Sequence, residues 1–148
     1  MTRTSRAPTL TIRNATTSDI DGILDLVRRA YVDLPSYISG MLRGQITTFP
    51  AGQFVVEYEN KIVGYAATFR IDEKTAFKPH TWTEITGGGY ASRHDPHGDW
   101  LYGMEVCVDP THRRLRIGQR LYNARQQLCE SLELKGIVFG GREITPEK

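Results

Sequence analysis

Four arginines crowd the stretch VDPTHRRLRIGQRL, Val108 to Leu121: Arg113, Arg114, Arg116 and Arg120 surround the point where an Asp-Pro turn gives way to a helical pattern. Their charge has the wrong sign for that place. A helix N-terminus carries roughly half a positive charge and favours acidic side chains by about 0.3 to 1 kcal/mol. A bound anion such as a pyrophosphate reverses the problem. The first N–H groups of a helix lack internal partners and point along its axis, and Gly118 lets a ligand come close to the backbone. Each arginine adds a charge-assisted hydrogen bond worth about 1.5 to 3 kcal/mol, and a few of these reach the roughly 8 kcal/mol of a micromolar ligand. A solvated basic turn is the alternative, since like charges three or four residues apart repel by only about 0.2 to 0.5 kcal/mol.

The other residue types able to do chemistry are sparser. His80, His94, His97 and His112 show none of the usual zinc spacings, and His94 and His97 flank Asp95-Pro96 in a turn-like HDPHGD stretch, so they read as loop histidines and no metal site is expected. Cys107 and Cys129 form neither a disulfide framework nor a metal-ligand pattern, and both read as packing residues.

Residue counts bound what surrounds these groups. A chain of 148 residues fits one domain able to bury roughly two thirds of its unfolded surface. Its 19 basic and 17 acidic residues give a formal charge of +2, so the arginine cluster is local and nucleic-acid binding is disfavoured. No apolar run approaches the roughly 18 residues of a membrane span, and the opening MTRTSRAPT lacks a secretory apolar segment, which points to the cytoplasm and away from membranes.

The elements that must position the turn follow from periodicity. Residues 1–8 read as a disordered tail. Thr9 to Arg13 alternates as a first strand, and Thr17 or Ser18 caps a helix whose apolar positions Ile20, Ile23, Leu24, Val27 and Tyr31 share one face. Ser36 to Thr48 has a weaker helical pattern, with Gly40 and Gly44 each costing about 1 kcal/mol relative to alanine. Phe54 to Phe69 reads as a hairpin turning at Glu59-Asn60-Lys61. Asp72 to Asp99 is a long loop rich in Gly, His, Asp and Thr, of a length that usually means function. Leu101 to Val108 is a strand, a helix runs from about Ile117 to Lys135-Gly136, and Ile137 to Phe139 closes as a short strand. The expected fold is α/β (α+β), a mixed central β-sheet flanked by helices, its last strand-helix-strand unit a right-handed parallel crossover.

The block Val106 to Gly118, VCVDPTHRRLRIG, resembles the coenzyme A signature of the GNAT superfamily of acyl-CoA-dependent N-acyltransferases, a strand and Val-Asp-Pro followed by an Arg/Gln-x-x-Gly-x-Gly/Ala loop that opens a helix. Arg113 takes the Arg/Gln place and Gly118 the last place, while Arg116 stands where the family usually has its first glycine. The order of elements matches too. More narrowly, HTWTEITGGGY, HDPHGDWLYGMEV and LKGIVFGGR resemble the acetyltransferase domain found ahead of a carbon-nitrogen hydrolase (nitrilase-like) domain in bacterial two-domain proteins. The resemblance implies acetyl-CoA as cosubstrate. The backbone of Val106, Cys107 and Val108 would hold the pantetheine arm and thioester, and Arg113, Arg114, Leu115, Arg116, Ile117 and Gly118 the pyrophosphate.

Acyl transfer from a thioester to an amine then needs a base. Alternation puts Tyr102, Met104, Val106 and Val108 on an apolar face and Glu105 with Cys107 on the other. Glu105 is either a general base, directly or through a water, or a structural carboxylate paired with a cation. Cys107 has no identifiable histidine partner as a nucleophile. Trp82, Glu84, Tyr90 and Trp100 either line an acceptor pocket or give the long loop its own small core.

The family usually continues past the last strand with another helix and two more strands, and this chain ends in GGREITPEK. Residues 9–148 therefore read as a GNAT domain shortened at its C-terminus. The final strand is left with an apolar edge able to pair with a second copy. Two functions stay open: an acetyl-CoA-dependent N-acetyltransferase acting on an unidentified small-molecule or peptide amine, or an inactive coenzyme A-binding or assembly module cut from a longer acetyltransferase/carbon-nitrogen hydrolase.

Overall fold

Alternating and helical periodicities resolve, in a computed structural model that describes residues 9–31 and 38–139 apart from the side chains of Arg113 and Phe139, into a five-stranded mixed sheet with helices on both faces. The expected tail, residues 1–8, and the closing residues 140–148 lie outside the described residues.

The strands are β1 (Leu10–Asn14), β2 (Phe54–Tyr58), β3 (Lys61–Ile71), β4 (Trp100–Val108) and β5 (Gly136–Phe139), in sheet order β1-β2-β3-β4-β5. The first three junctions are antiparallel, and β5 runs parallel to β4. The helices are α1 (Ile20–Ala30), α2 (Ser39–Thr48), two short turns α3 (Glu73–Ala76) and α4 (Trp82–Thr86), and α5 (Ile117–Ser131). One side of the sheet packs on α1 and α2: Tyr65, Ala67, Phe69 and Ile71 share a cluster with Ile23, Leu26, Leu42 and Ile46. On the other side Ile117 and Leu121 of α5 pack on Val56, Val63 and Ala66.

Several expectations shift by a residue or two for local reasons. The hairpin turns on Glu59 and Asn60, both left-handed with φ of 52° and 65°, as a two-residue connection with twisted strands requires. A single 3-10 turn, Thr17–Asp19, precedes α1, and the residue before it is Thr16 rather than Thr17 or Ser18. Asp19 earns its place twice, accepting the Thr16 N–H at 2.8 Å and a two-pronged ion pair from Arg13 at 2.8 and 2.9 Å. At the far end α5 stops at Ser131, with Glu133 left-handed at φ 57° and the Leu134 N–H returning to the Cys129 carbonyl. Gly136, expected to end the helix, instead opens β5 opposite Trp100.

The strict alternation expected in β4 fails at one point. Ala67 of β3 faces Glu105 and the next residue, Thr68, faces Gly103, so Met104 is an extra residue in β4. This β-bulge reverses which face the following residues address. Tyr102, opposite Phe69, therefore shares its face with Glu105, opposite Ala67, and Cys107, opposite Tyr65. Val106 and Val108 pack on the α5 side. The expected grouping of Tyr102 with Val106 and Val108 is corrected accordingly.

Candidate active site

The arginine turn is built on a buried carboxylate. Asp109, 1% exposed, follows β4, and its backbone N–H donates to the Val63 carbonyl at 2.9 Å. Its Oδ1 accepts the Thr111 N–H at 2.9 Å and the Thr111 hydroxyl at 2.7 Å, while Oδ2 accepts Nη2 of Arg29 from α1 at 3.0 Å. Burial pushes the carboxyl up, but the hydrogen bonds from Thr111 and Arg29 outweigh it and bring it down to about 2. Arg29 also pairs with Asp25 and donates to the Ile62 carbonyl. The start of the turn is thus tied to β3 and α1 together.

From there Pro110–Leu115 forms a 3-10 segment, and Arg116 adopts φ 54°, ψ 43° as the residue before α5. The first backbone bond of the helix joins the Arg120 N–H to the Arg116 carbonyl at 3.0 Å, so the N–H groups of Ile117, Gly118 and Gln119 precede the ladder. Leu115 and Ile117 send their side chains into the sheet and leave their backbone to the turn. A Cβ on Gly118 would meet only the Val108 side chain, at 3.8 Å. The helix start therefore lies directly against β4, and protein packing does not explain the missing side chain.

Arg114 and Arg116 are exposed, and Arg120 Nε donates to the Leu115 carbonyl at 2.8 Å. Among the described residues, no carboxylate lies within ion-pair distance of Arg114, Arg116 or Arg120. Among the described residues the charge has no carboxylate to offset it, the condition under which a helix N-terminus takes an anion. A depression of about 270 Å³ borders the turn on the hairpin side, lined by Tyr58, Glu59, Thr111, His112, Arg114 and Leu115.

Glu105 sits at the bulge on the opposite face. The Tyr31 hydroxyl, just past α1, donates to its Oε2 at 2.7 Å and lies 3.3 Å from the Val106 carbonyl. Beside it, burial first and then the Glu105 charge push the Cys107 thiol up to about 12, which removes the thiolate a nucleophile needs. Tyr65 is fully buried and donates to Gln45 Oε1 at 2.6 Å, and Gln45 Nε2 donates to the Gly89 carbonyl at 2.7 Å. This chain of bonds ties the glycine-rich loop to the sheet beneath Glu105.

The four candidate acceptor residues part company. Trp82 reaches β4, its indole N–H donating to the Met104 carbonyl at the bulge, 2.9 Å away. Glu84 instead accepts the Thr81 N–H at 2.9 Å to cap α4, and that bond holds its carboxyl below the usual range. Tyr90 packs on α2, where a Cβ at Gly44 would come within 2.9 Å of its carbonyl oxygen. Trp100 pairs edge-on with Phe77. Among the histidines, His94 accepts the Arg70 N–H through Nδ1 at 3.0 Å and stacks on Phe49, and burial, then the charge of Arg70, lowers its pKa. No cluster of three or more His, Cys, Asp or Glu side chains able to hold a metal occurs among the described residues. None of the described helices is long and apolar enough to cross a membrane.

Sequence reasoning missed Tyr31, Arg29, Gln45 and the buried Arg125. Tyr31, Arg29 and Gln45 act on partners far along the chain, and periodicity carries no sign of such pairs, while Arg125 lies over the Tyr122 ring of its own helix. For Tyr31 the one signal was an aromatic at the end of an apolar helix face.

A cationic helix start with no carboxylate partner among the described residues, set against a strand that carries a carboxylate at its bulge, offers an anion site near a group able to exchange a proton. Residues 20–141 match the acetyltransferase (GNAT) family, and the chain belongs to it. It is 40% identical over 133 residues to the probable hydrolase YhcX of Bacillus subtilis and 31% identical over 137 residues to the uncharacterized N-acetyltransferase YkwB of the same organism. Both comparisons cover 90% of this chain, which spans 26% of YhcX and 61% of YkwB. Among solved structures, the GphF GNAT-like decarboxylase in complex with isobutyryl-CoA superposes with a TM-score of 0.67 at 30% identity, over 76% of this chain and 55% of that one.

Proposed function

We propose that the chain transfers an acetyl group from acetyl-CoA directly to an amine, with Glu105 as general base. Acetyl-CoA, when bound, supplies an activated acyl carbon. Arg114, Arg116 and the N–H groups of residues 117–119 bind its diphosphate, and Arg113 serves the same turn. The backbone of Val106, Cys107 and Val108 orients the pantetheine arm along the edge of the bulged strand away from β3. Glu105 would take the proton that the amine gives up as the nitrogen–acyl carbon bond forms and the acyl carbon–sulfur bond breaks, coenzyme A leaving as a thiolate that takes a proton from water. Trp82, held at the bulge carbonyl, borders the acceptor. The single observation that carries this reading is that a Cβ at Gly118 would meet only the Val108 side chain, at 3.8 Å, so the start of α5 stands beside the strand that carries Glu105 with room for a ligand.

Thiol release from acetyl-CoA with a panel of primary amines is the direct test. Glu105→Gln is expected to lower the rate about 100-fold or more, the usual scale for a general base, with acetyl-CoA affinity unchanged. An unaltered rate assigns the carboxylate a structural role.

A second reading is an assembly module that binds coenzyme A without turnover, as the acetyltransferase portion of a longer carbon-nitrogen hydrolase. Its support is that the 40% identity to YhcX, named as a probable hydrolase, falls within 26% of that protein. Acetyl-CoA binding without thiol release for any amine favours it.

A further inference from the structure

The hydroxyl of Tyr31 faces two acceptors that the acyl-transfer reading uses for different purposes. The Tyr31 backbone N–H donates to the Val27 carbonyl at 2.9 Å, so the end of α1 fixes where the ring leaves the helix. Its oxygen stands 2.7 Å from Glu105 Oε2 and 3.3 Å from the Val106 carbonyl. A phenol has one proton to give, and it can accept as well. While Glu105 is ionised, the carboxylate is the stronger acceptor, because charge-assisted bonds are shorter and roughly twice as strong as neutral ones. The shorter distance agrees.

Once Glu105 gains a proton, the roles can exchange. The carboxyl O–H donates to the phenol oxygen, and the phenol proton turns to the Val106 carbonyl. Tyr31 is paired in both states. We infer that Tyr31 is a positioning residue for Glu105: it fixes one orientation of the carboxylate and switches its hydroxyl to the Val106 carbonyl whenever the carboxyl takes up a proton. This rests on the proposed role of Glu105 as base.

Other titratable groups face the same place. Tyr65 approaches from β3 and Cys107 from β4, and Arg29 of α1 and Asp109 act on Cys107 from beyond it. Burial pushes both Tyr65 and Cys107 up, still farther from the carboxyl range, and the Tyr65 hydroxyl is engaged with Gln45. Tyr31 also hydrogen-bonds the Cys107 side chain, but that thiol is held up at about 12, so within the carboxyl range a change at Tyr31 is read at Glu105.

Carbon NMR of the full chain carrying ¹³C-carboxyl glutamate, with Glu105→Gln assigning the resonance, follows the titration without any need for turnover. A hydrogen bond to the charged form lowers a carboxyl's pKa, so Tyr31→Phe is expected to move the Glu105 midpoint upward by about one pH unit. The ring is retained, and an unchanged near-ultraviolet dichroism spectrum establishes that the fold is too. In thiol-release assays the same variant should lower kcat about tenfold at neutral pH, shift the acidic limb of the rate profile upward with the NMR midpoint, and leave the KM for acetyl-CoA unaltered. In a Glu105→Gln background it should do nothing further. A Glu105 midpoint that does not move, or a loss in the double variant that multiplies the two single losses, overturns the inference. Absence of thiol release from the parent protein defeats the acyl-transfer reading, and the NMR midpoint still decides the role of Tyr31.

Discussion

Arg116 holds the least comfortable backbone in the turn. Its φ of 54° is left-handed, a conformation that costs a side chain with a Cβ about 1 to 2 kcal/mol. Glycine there relieves that strain but loosens the unfolded chain, a loss of about 0.4 to 1 kcal/mol. Because the guanidinium is exposed and makes no ion pair with a described residue, relief wins. Arg116→Gly is expected to raise unfolding free energy by about 0.5 to 1 kcal/mol while weakening acetyl-CoA binding, as denaturant titration and calorimetry would show. Equal affinity in the variant would mean that the backbone alone serves the phosphate. Asp109 gives the opposite kind of residue, one that stabilises. Its carboxyl lies at about 2 against an ordinary value of 3.8, so its contribution is complete above the ordinary value and is lost as pH falls through about 2. Stability measured from pH 5 down to pH 2 should decline, and Asp109→Ala, already lower by about 1 to 3 kcal/mol from the lost bonds to Thr111 and Arg29, should decline less steeply.

At the scale of elements, α2 sets helix propensity against packing. Gly40 and Gly44 both lower its propensity, and the sequence alone treats them alike. A Cβ at Gly40 would make ordinary contact with the Tyr90 hydroxyl at 3.6 Å, whereas one at Gly44 would press the Tyr90 carbonyl at 2.9 Å and its ring at 3.2 Å. Gly40→Ala is therefore expected to stabilise the protein by up to about 1 kcal/mol. Gly44→Ala should destabilise it by about 1 to 2 kcal/mol net, since overpacking exceeds the propensity gain. Thermal unfolding of the pair checks both signs. The same contrast explains what was legible beforehand. Strands, helices and the arginine turn follow local spacing, and those assignments needed no tertiary information. The bulge at Met104 moved Tyr102 to the Glu105 face, because alternation carries no mark of one inserted residue. Gln45, Tyr65 and Gly89 meet across 44 residues of chain, and no window of sequence spans that network.

For the whole molecule, β4 joins groups that lie on opposite faces of the sheet between α1 and α5. The α5 side presents the cationic turn, and the α1 side carries Glu105, Tyr31 and the buried polar chain beneath them. β4 serves both, and its bulge is where the faces exchange. The central claim is that this strand and turn together take acetyl-CoA, a claim that concerns the folded chain as a unit because a ligand that binds only the native state stabilises all of it. Thermal unfolding with and without acetyl-CoA, in the parent protein and in an Arg114→Ala/Arg116→Ala double variant, measures this most directly. At 100 times the dissociation constant the parent should gain about 2.7 kcal/mol, a rise of roughly 5 to 10 °C, and the double variant at the same ligand concentration should lose most of that rise. No rise in the parent, or an equal rise in both proteins, would contradict the account.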